Sequence, residues 1–173
     1  MGKVVSLFSR DEKEVLEKMD VANFRIEVIR PALKIAGLWS ESAENLLLGT
    51  ALAESGLNVL TQFGSGPALS FFQIEPNTYD DIIRYLYRHD NQPLKDRVMA
   101  CCMLDIFPDA KCLVWNMRLS VLIARVIYAR KAEPLPKSCD IEGLASYWKR
   151  HYNTIKGAGT VEHFIKSWNN RVN

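Results

Sequence analysis

The sequence is short of several things, and each shortage excludes a class of protein. No stretch approaches the roughly 18 consecutive apolar residues that a membrane-spanning helix needs, so no membrane span is expected. Charge of one sign is scarce. The 22 Lys and Arg residues stand against 20 Asp and Glu, a net +2, which is too weak an imbalance to argue for nucleic acid as a partner. The four cysteines, Cys101, Cys102, Cys112 and Cys139, form no Cys-x-x-Cys pair, and the three histidines, His89, His151 and His163, show no i, i+4 spacing. Neither pattern supplies a metal site, so no metal and no cofactor is expected. Repeats, low-complexity tracts and long linkers are absent. Alternating strand pattern is too rare for an α/β sheet. No Gly-x-Ser-x-Gly or phosphate-loop pattern occurs, and Gly64-Ser65-Gly66 lacks the lysine and helix that would make it one.

The amino terminus, Met1-Gly2-Lys3-Val4-Val5-Ser6-Leu7-Phe8, is too short in apolar residues for the centre of a signal peptide. Gly2 and Ser6 fit the loose myristoylation pattern, but nothing else points to a lipid anchor. The expectation is a chain made in the cytoplasm, its cysteines free and mostly buried.

What is present is apolar mass and helical pattern. In 173 residues, 48% hydrophobic and 24% charged, there is ample core for one globular domain and too little chain for two. Ser9-Arg10-Asp11-Glu12 is a capping box. A helical stretch with Phe24, Ile26, Ile29, Leu33 and Ile35 follows, interrupted by Pro31 and stopped by Gly37. Ser40 caps a helix whose body, Asn45 to Ala53, is apolar on nearly every face and therefore central, with Gly56 ending it. Residues 56–72 are glycine-rich with short apolar pieces, a loop or small hairpin. Helices are expected from Asn77 to about Arg88, from Pro93 to about Phe107, from Pro108-Asp109 through Arg130, from Asp140 to about Tyr152, and after Thr160. The fold class is mostly α with at most one small β-hairpin. A helical segment over 1–37 packs on a main domain over 38–173, and the two make one domain.

Three segments carry possible chemistry. In Ala53-Glu54-Ser55-Gly56 a carboxylate ends a buried helix and faces a glycine-rich loop. Apolar neighbours and the negative end of the helix dipole both raise its pKa, as an acid that protonates a glycosidic oxygen requires. On position alone a solvated glutamate at a frayed helix end is the stronger reading. In Gly66-Pro67-Ala68-Leu69-Ser70-Phe71-Phe72-Gln73-Ile74-Glu75-Pro76, Gln73 is an amide in an apolar run, able to bond a sugar or to satisfy the backbone. In Tyr147-Trp148-Lys149-Arg150-His151-Tyr152-Asn153-Thr154 aromatic, amide and basic groups crowd a helix end, with Trp148 read as core.

Together and in this order, Glu54-Ser55-Gly56, Ser70-Phe71-Phe72-Gln73 and Tyr152-Asn153 resemble the motifs of the lysozyme-like lytic transglycosylases, over about residues 38–156. The likeness is strongest to small versions carried by tailed bacteriophages. Ser70 stands where that family usually has glycine, and Thr154 where it usually has alanine. The resemblance implies a lysozyme-like single domain that cleaves peptidoglycan between N-acetylmuramic acid and N-acetylglucosamine. Glu54 would be the acid/base, and Ser55, Phe72, Gln73, Tyr152 and Asn153 would bind substrate. The muramoyl 6-hydroxyl would act as nucleophile and leave a 1,6-anhydro end. That route needs one carboxylate where hydrolysis needs two. Glu75 is the residue that could supply the second, since Asp80 and Asp81 read as charges near a helix start. The implied partners are glycan strands of the cell wall and, in a phage, other virion or tail proteins. The alternative reading is a structural virion protein that keeps the fold without the activity.

Overall fold

The computed structural model describes residues 19–62, 66–153 and 157–172. The capping box at 9–12 and residue Thr154 lie outside them.

The described chain is mostly helical. Three consecutive pieces, Val21–Asn23, Phe24–Ile29 and Arg30–Ile35, make one broken helix, α1. The middle piece is a π turn, in which the Arg30 amide reaches back to the Arg25 carbonyl. Pro31 accounts for it: a proline ring collides with the carbonyl four residues earlier, and the wider turn moves that carbonyl aside. Gly37 ends α1 with φ 65°, and Leu38 N–H bonds the Leu33 carbonyl at 2.8 Å, the 6→1 closure of a Schellman turn.

Helix α2, Glu41–Ser55, is the centre of the molecule. The Ser40 hydroxyl accepts from the Ala43 amide at 3.1 Å and caps it. Gly56 in the left-handed region closes its other end. Every residue from Ala43 to Leu52 is buried, so α2 is enclosed on all sides. Around it stand α3 (Pro76–Leu86), α4 (Gln92–Cys102), α5 (Met117–Ala129), α6 (Ile141–Trp148) and α7 (Val161–Val172). Helix α7 packs most extensively against α2, and α1 shares the same core through Phe24, Ile29 and Leu33.

Several boundaries differ from the sequence expectation. Helix α3 starts at Pro76 with Glu75 at its cap, so Asp80 and Asp81 lie beyond its first turn. Asp81 instead pairs with Arg130 of α5 and, more loosely, with Arg84. Helix α4 stops at Cys102 because Met103 turns left-handed at φ 53°. The apolar run expected as one helix from Pro108 to Arg130 is two elements. A 3₁₀ turn, Ala110–Val114, comes first, and Asn116 then caps α5 with its side chain on the Leu119 amide. The small hairpin reduces to two isolated bridges, Thr61 with Leu69 and Leu69 with Ile74. Cys101, Cys102 and Cys112 are free and buried, whereas Cys139 is free and exposed. Among the described residues no helix is long and apolar enough to cross a membrane.

A tight contact between α2 and α7 is made at Gly49. A Cβ placed there would stand 2.0 Å from the Phe164 ring of α7, and that ring is fully buried beside Trp148 at 5.5 Å between centroids. The ring has nowhere to go. Gly49→Ala is therefore expected to lower the unfolding free energy by about 2 kcal/mol through overpacking, despite alanine's better helix propensity. Urea denaturation checks this, and a neutral or stabilising change would show that α7 can shift away from α2.

Candidate active site

Glu54 is the penultimate residue of α2, where the enclosing helices part. It opens onto a cleft of about 550 Å³. The lining includes Gln73, Glu75, His151, Tyr152 and Asn153, brought together from three separate stretches of chain. Four of the six residues singled out for the site, Glu54, Gln73, Tyr152 and Asn153, thus share one cleft.

The other two do not line it. Phe72 is fully buried, in contact with Phe24 in the core, so its side chain cannot meet a ligand. What it gives the site is its carbonyl, which accepts from the Tyr152 hydroxyl at 2.7 Å. The Ser55 hydroxyl is spent on the backbone. It donates within reach of the Ala51 and Phe71 carbonyls, at 3.0 and 2.8 Å, and accepts from the Leu57 amide at 3.2 Å. Ser55 ties the loop to α2 and Phe72 anchors it in the core, so neither of these two expected substrate contacts lines the cleft.

The loop between α2 and α3 is knitted tightly. Ser70 sits at φ 65°, a conformation glycine adopts without strain and serine does not. Its amide bonds the Leu60 carbonyl at 2.7 Å and its hydroxyl accepts from the Phe72 amide at 3.2 Å. Gln73 follows at φ 46°. Its Nε2 donates to the Ser70 carbonyl at 2.7 Å, which leaves Oε1 as the acceptor it can offer the cleft.

The wall opposite this loop continues α6. After Trp148 the helix widens into a π turn, Lys149–Asn153, which swings Tyr152 and Asn153 toward Glu54. Tyr152 stacks on Tyr128 of α5 at 5.4 Å between ring centroids. The Tyr128 hydroxyl is in turn 2.7 Å from that of Thr50 on α2. His151 lies 2.8 Å from Glu133, which also pairs with Arg150, so this histidine is held at the rim by a hydrogen bond to that carboxylate.

One partner of Glu54 and one neighbour of it were not legible in the sequence. The Trp148 indole donates to Glu54 Oε1 at 3.0 Å across 94 residues. His163 of α7 places Nε2 2.8 Å from the Ala53 carbonyl, which can only accept, so Nε2 carries the hydrogen. Trp148 reads as a core residue, and it is one, at 1% exposure; only its N–H has the second use. Gly159 is the nearest thing to a signal. A Cβ there would lie 2.5 Å from the Trp148 ring and 2.9 Å from the Asn153 amide nitrogen, so a glycine is needed beneath both.

The electrostatics follow from this packing. Burial pushes the Glu54 carboxyl up to about 7. The Trp148 indole, the nearby His163 and the Asn153 amide pull the other way without cancelling it. The result is a carboxyl that exchanges its proton near neutrality inside an open cleft. The described lining holds one other carboxylate, the exposed Glu75. Among the described residues no group of three or more His, Cys, Asp or Glu is placed to hold a metal ion.

The chain matches no protein-family model, no curated protein and no solved structure. The functional argument therefore rests on the geometry of the cleft.

The displaced pKa has a thermodynamic consequence. Glu54 binds its proton more tightly in the fold, at about 7, than in an open chain, at 4.5. Stability from this group is complete below about pH 4.5 and is lost as pH rises toward 7, on the order of 1–3 kcal/mol. Glu54→Gln removes the titration. The variant is expected to be no less stable than wild type at pH 5 and more stable at pH 8. Denaturant unfolding at both pH values checks the difference; equal gaps at the two would mean that Glu54 is not held protonated.

Proposed function

We propose that this protein is a glycosidase of the cell wall, a lysozyme-like lytic transglycosylase that cleaves the β-1,4 bond between N-acetylmuramic acid and N-acetylglucosamine. The observation that carries the reading is Glu54: one carboxyl, at the end of an enclosed helix, with its pKa raised by burial to about 7 and open to a cleft that Gln73, Tyr152 and Asn153 also line. A group of this kind can donate a proton and later recover one at the same pH.

In the proposed reaction Glu54 gives its proton to the glycosidic oxygen as the bond from the muramoyl anomeric carbon to that oxygen breaks. The N-acetylglucosamine leaves with a free 4-hydroxyl. The muramoyl 6-hydroxyl then closes on the anomeric carbon, and its proton returns to Glu54. The product is a 1,6-anhydro ring; no water is consumed and the acid is restored. The developing positive charge at the anomeric carbon forms beside acceptors, Gln73 Oε1 among them, that favour it. The setting proposed for this chemistry is a tailed bacteriophage, with the enzyme made in the host cytoplasm and acting on the wall during penetration or lysis.

A second reading is favoured by one observation. Glu75 is exposed on the same lining, so a water-activating carboxylate is available for hydrolysis. The two routes leave different ends. Purified sacculi digested with the protein are expected to release anhydro-muramoyl ends by mass spectrometry, whereas reducing ends would assign hydrolysis. Glu54→Gln is expected to lower the rate by about a hundredfold to ten-thousandfold in a folded protein, and Glu75→Gln to leave anhydro formation largely intact. If wild-type protein releases nothing, the reading falls and a structural virion role takes its place.

A further inference from the structure

Lys149, the first residue of the π turn, has no part in the proposed reaction, and its contacts are specific. Its Nζ donates to Asn153 Oδ1 at 2.8 Å and to the Gly157 carbonyl at 2.8 Å. Asn153 lines the same cleft as Glu54, and its amide acts on that carboxyl as a donor that favours the charged form. A carboxamide has an accepting oxygen on one side and a donating NH2 on the other, and the two ends are nearly the same shape. Nothing intrinsic to Asn153 determines which end meets Glu54. Lysine has donors only, so the oxygen must turn to Lys149 and the NH2 to the carboxyl. The space around the amide reinforces the choice. Gly157 and Gly159 border it so closely that a Cβ at either would stand 2.4 Å from Oδ1 or 2.9 Å from Nδ2.

We propose that Lys149 is a positioning residue for Glu54, acting through the Asn153 carboxamide, which it holds with its NH2 toward the carboxyl. The inference rests on Glu54 being the acid/base. Without Lys149 the amide can present its oxygen instead, an arrangement that bonds the protonated acid and repels the carboxylate. The acid would then release its proton less readily after each exchange and would lose one of the two contacts that fix its orientation, the other being Trp148.

Other charged and titratable groups also face Glu54. His163 comes from α7, Tyr128 from α5 and Tyr152 from the same π turn as Lys149. Across the cleft stand Glu75, Arg130, Lys131 and His151. Arg130 and His151 are engaged by Asp81 and Glu133. None of these contacts the Asn153 oxygen, so the orienting role falls to Lys149.

The test separates the titration of Glu54 from turnover. In full-length Lys149→Met, carboxyl-carbon NMR is expected to show the Glu54 midpoint raised by about half a unit to one unit. Release of muropeptides should fall about tenfold in kcat with KM within about twofold, as for a misplaced catalytic group. Lys149→Arg keeps the donors and should keep both values near wild type. Lys149→Gln is the milder variant if the methionine protein does not fold, with the same direction of shift. In an Asn153→Ala background, removing Lys149 should change neither quantity. An unmoved Glu54 midpoint in folded Lys149→Met, or an equal shift with Asn153 absent, overturns the inference. A midpoint that moves as expected in a protein that cleaves no glycan keeps the network and rejects the glycosidase reading instead.

Discussion

Everything in this molecule is arranged around a helix with no solvent face. Because α2 is enclosed by α1, α5, α6 and α7, a polar group along its middle must find its partner inside the protein, as Thr50 does on Tyr128, and only the ends approach water. Of its three carboxylates Glu41 is exposed, and the other two, Glu44 and Glu54, meet opposite fates. Glu44 is 2% exposed near the amino-terminal end. Burial alone would raise its pKa, yet Arg30 grips both of its oxygens at 2.9 and 2.8 Å, Trp39 donates at 2.8 Å, and the net effect is a carboxylate held below its usual range. The helix dipole favours negative charge at that end. Glu54 sits at the opposite end, where the dipole opposes charge, and its direct hydrogen-bond donors are a neutral indole and a neutral amide. Cations compensate one acid, and among the described residues no cation grips the other. The first ties α1 to α2, and the second is left with a proton to trade.

The cleft beside Glu54 is held by backbone strain as well as by contacts. Leu57, Ser70 and Gln73 all have φ between 46° and 65°, and all three lie in the connection from α2 to α3. Such conformations persist only where their surroundings dictate them. Here the dictation comes from side chains committed to carbonyls: Ser55 on Phe71, Gln73 on Ser70, Tyr152 on Phe72. Residues 70–73, tied down at successive carbonyls, keep their shape when the cleft is empty. Binding then need not order them, which lowers the entropic cost of association.

The sequence was legible where a single segment decides the outcome. The Ser40 and Gly56 caps, the burial of Leu46 to Leu52 and the break at Pro31 are all local or periodic properties. The boundary of α5 was not, because Asn116 can cap a helix or sit within one, and only the 3₁₀ turn before it shows which. For the site, the order of motifs in the chain was enough to gather Glu54, Gln73, Tyr152 and Asn153. It could not show which side chains face inward. Phe72 and Ser55 lie beside true lining residues in sequence yet serve the core and the backbone. The Trp148 and His163 contacts were invisible for a further reason. Each depends on how α6 and α7 settle against the end of α2, and no spacing in the chain encodes that distance.

The tyrosine bridge to Phe72 spans 80 residues and the indole bond to Glu54 spans 94. Both close only when the last third of the chain has docked. Until then residue 54 is a glutamate in water with an ordinary pKa, and the turn at residues 70–73 lacks the tie that Tyr152 makes to the Phe72 carbonyl. A chain opened at α6 and α7 therefore carries the glutamate without the proton that the fold makes it hold near neutrality.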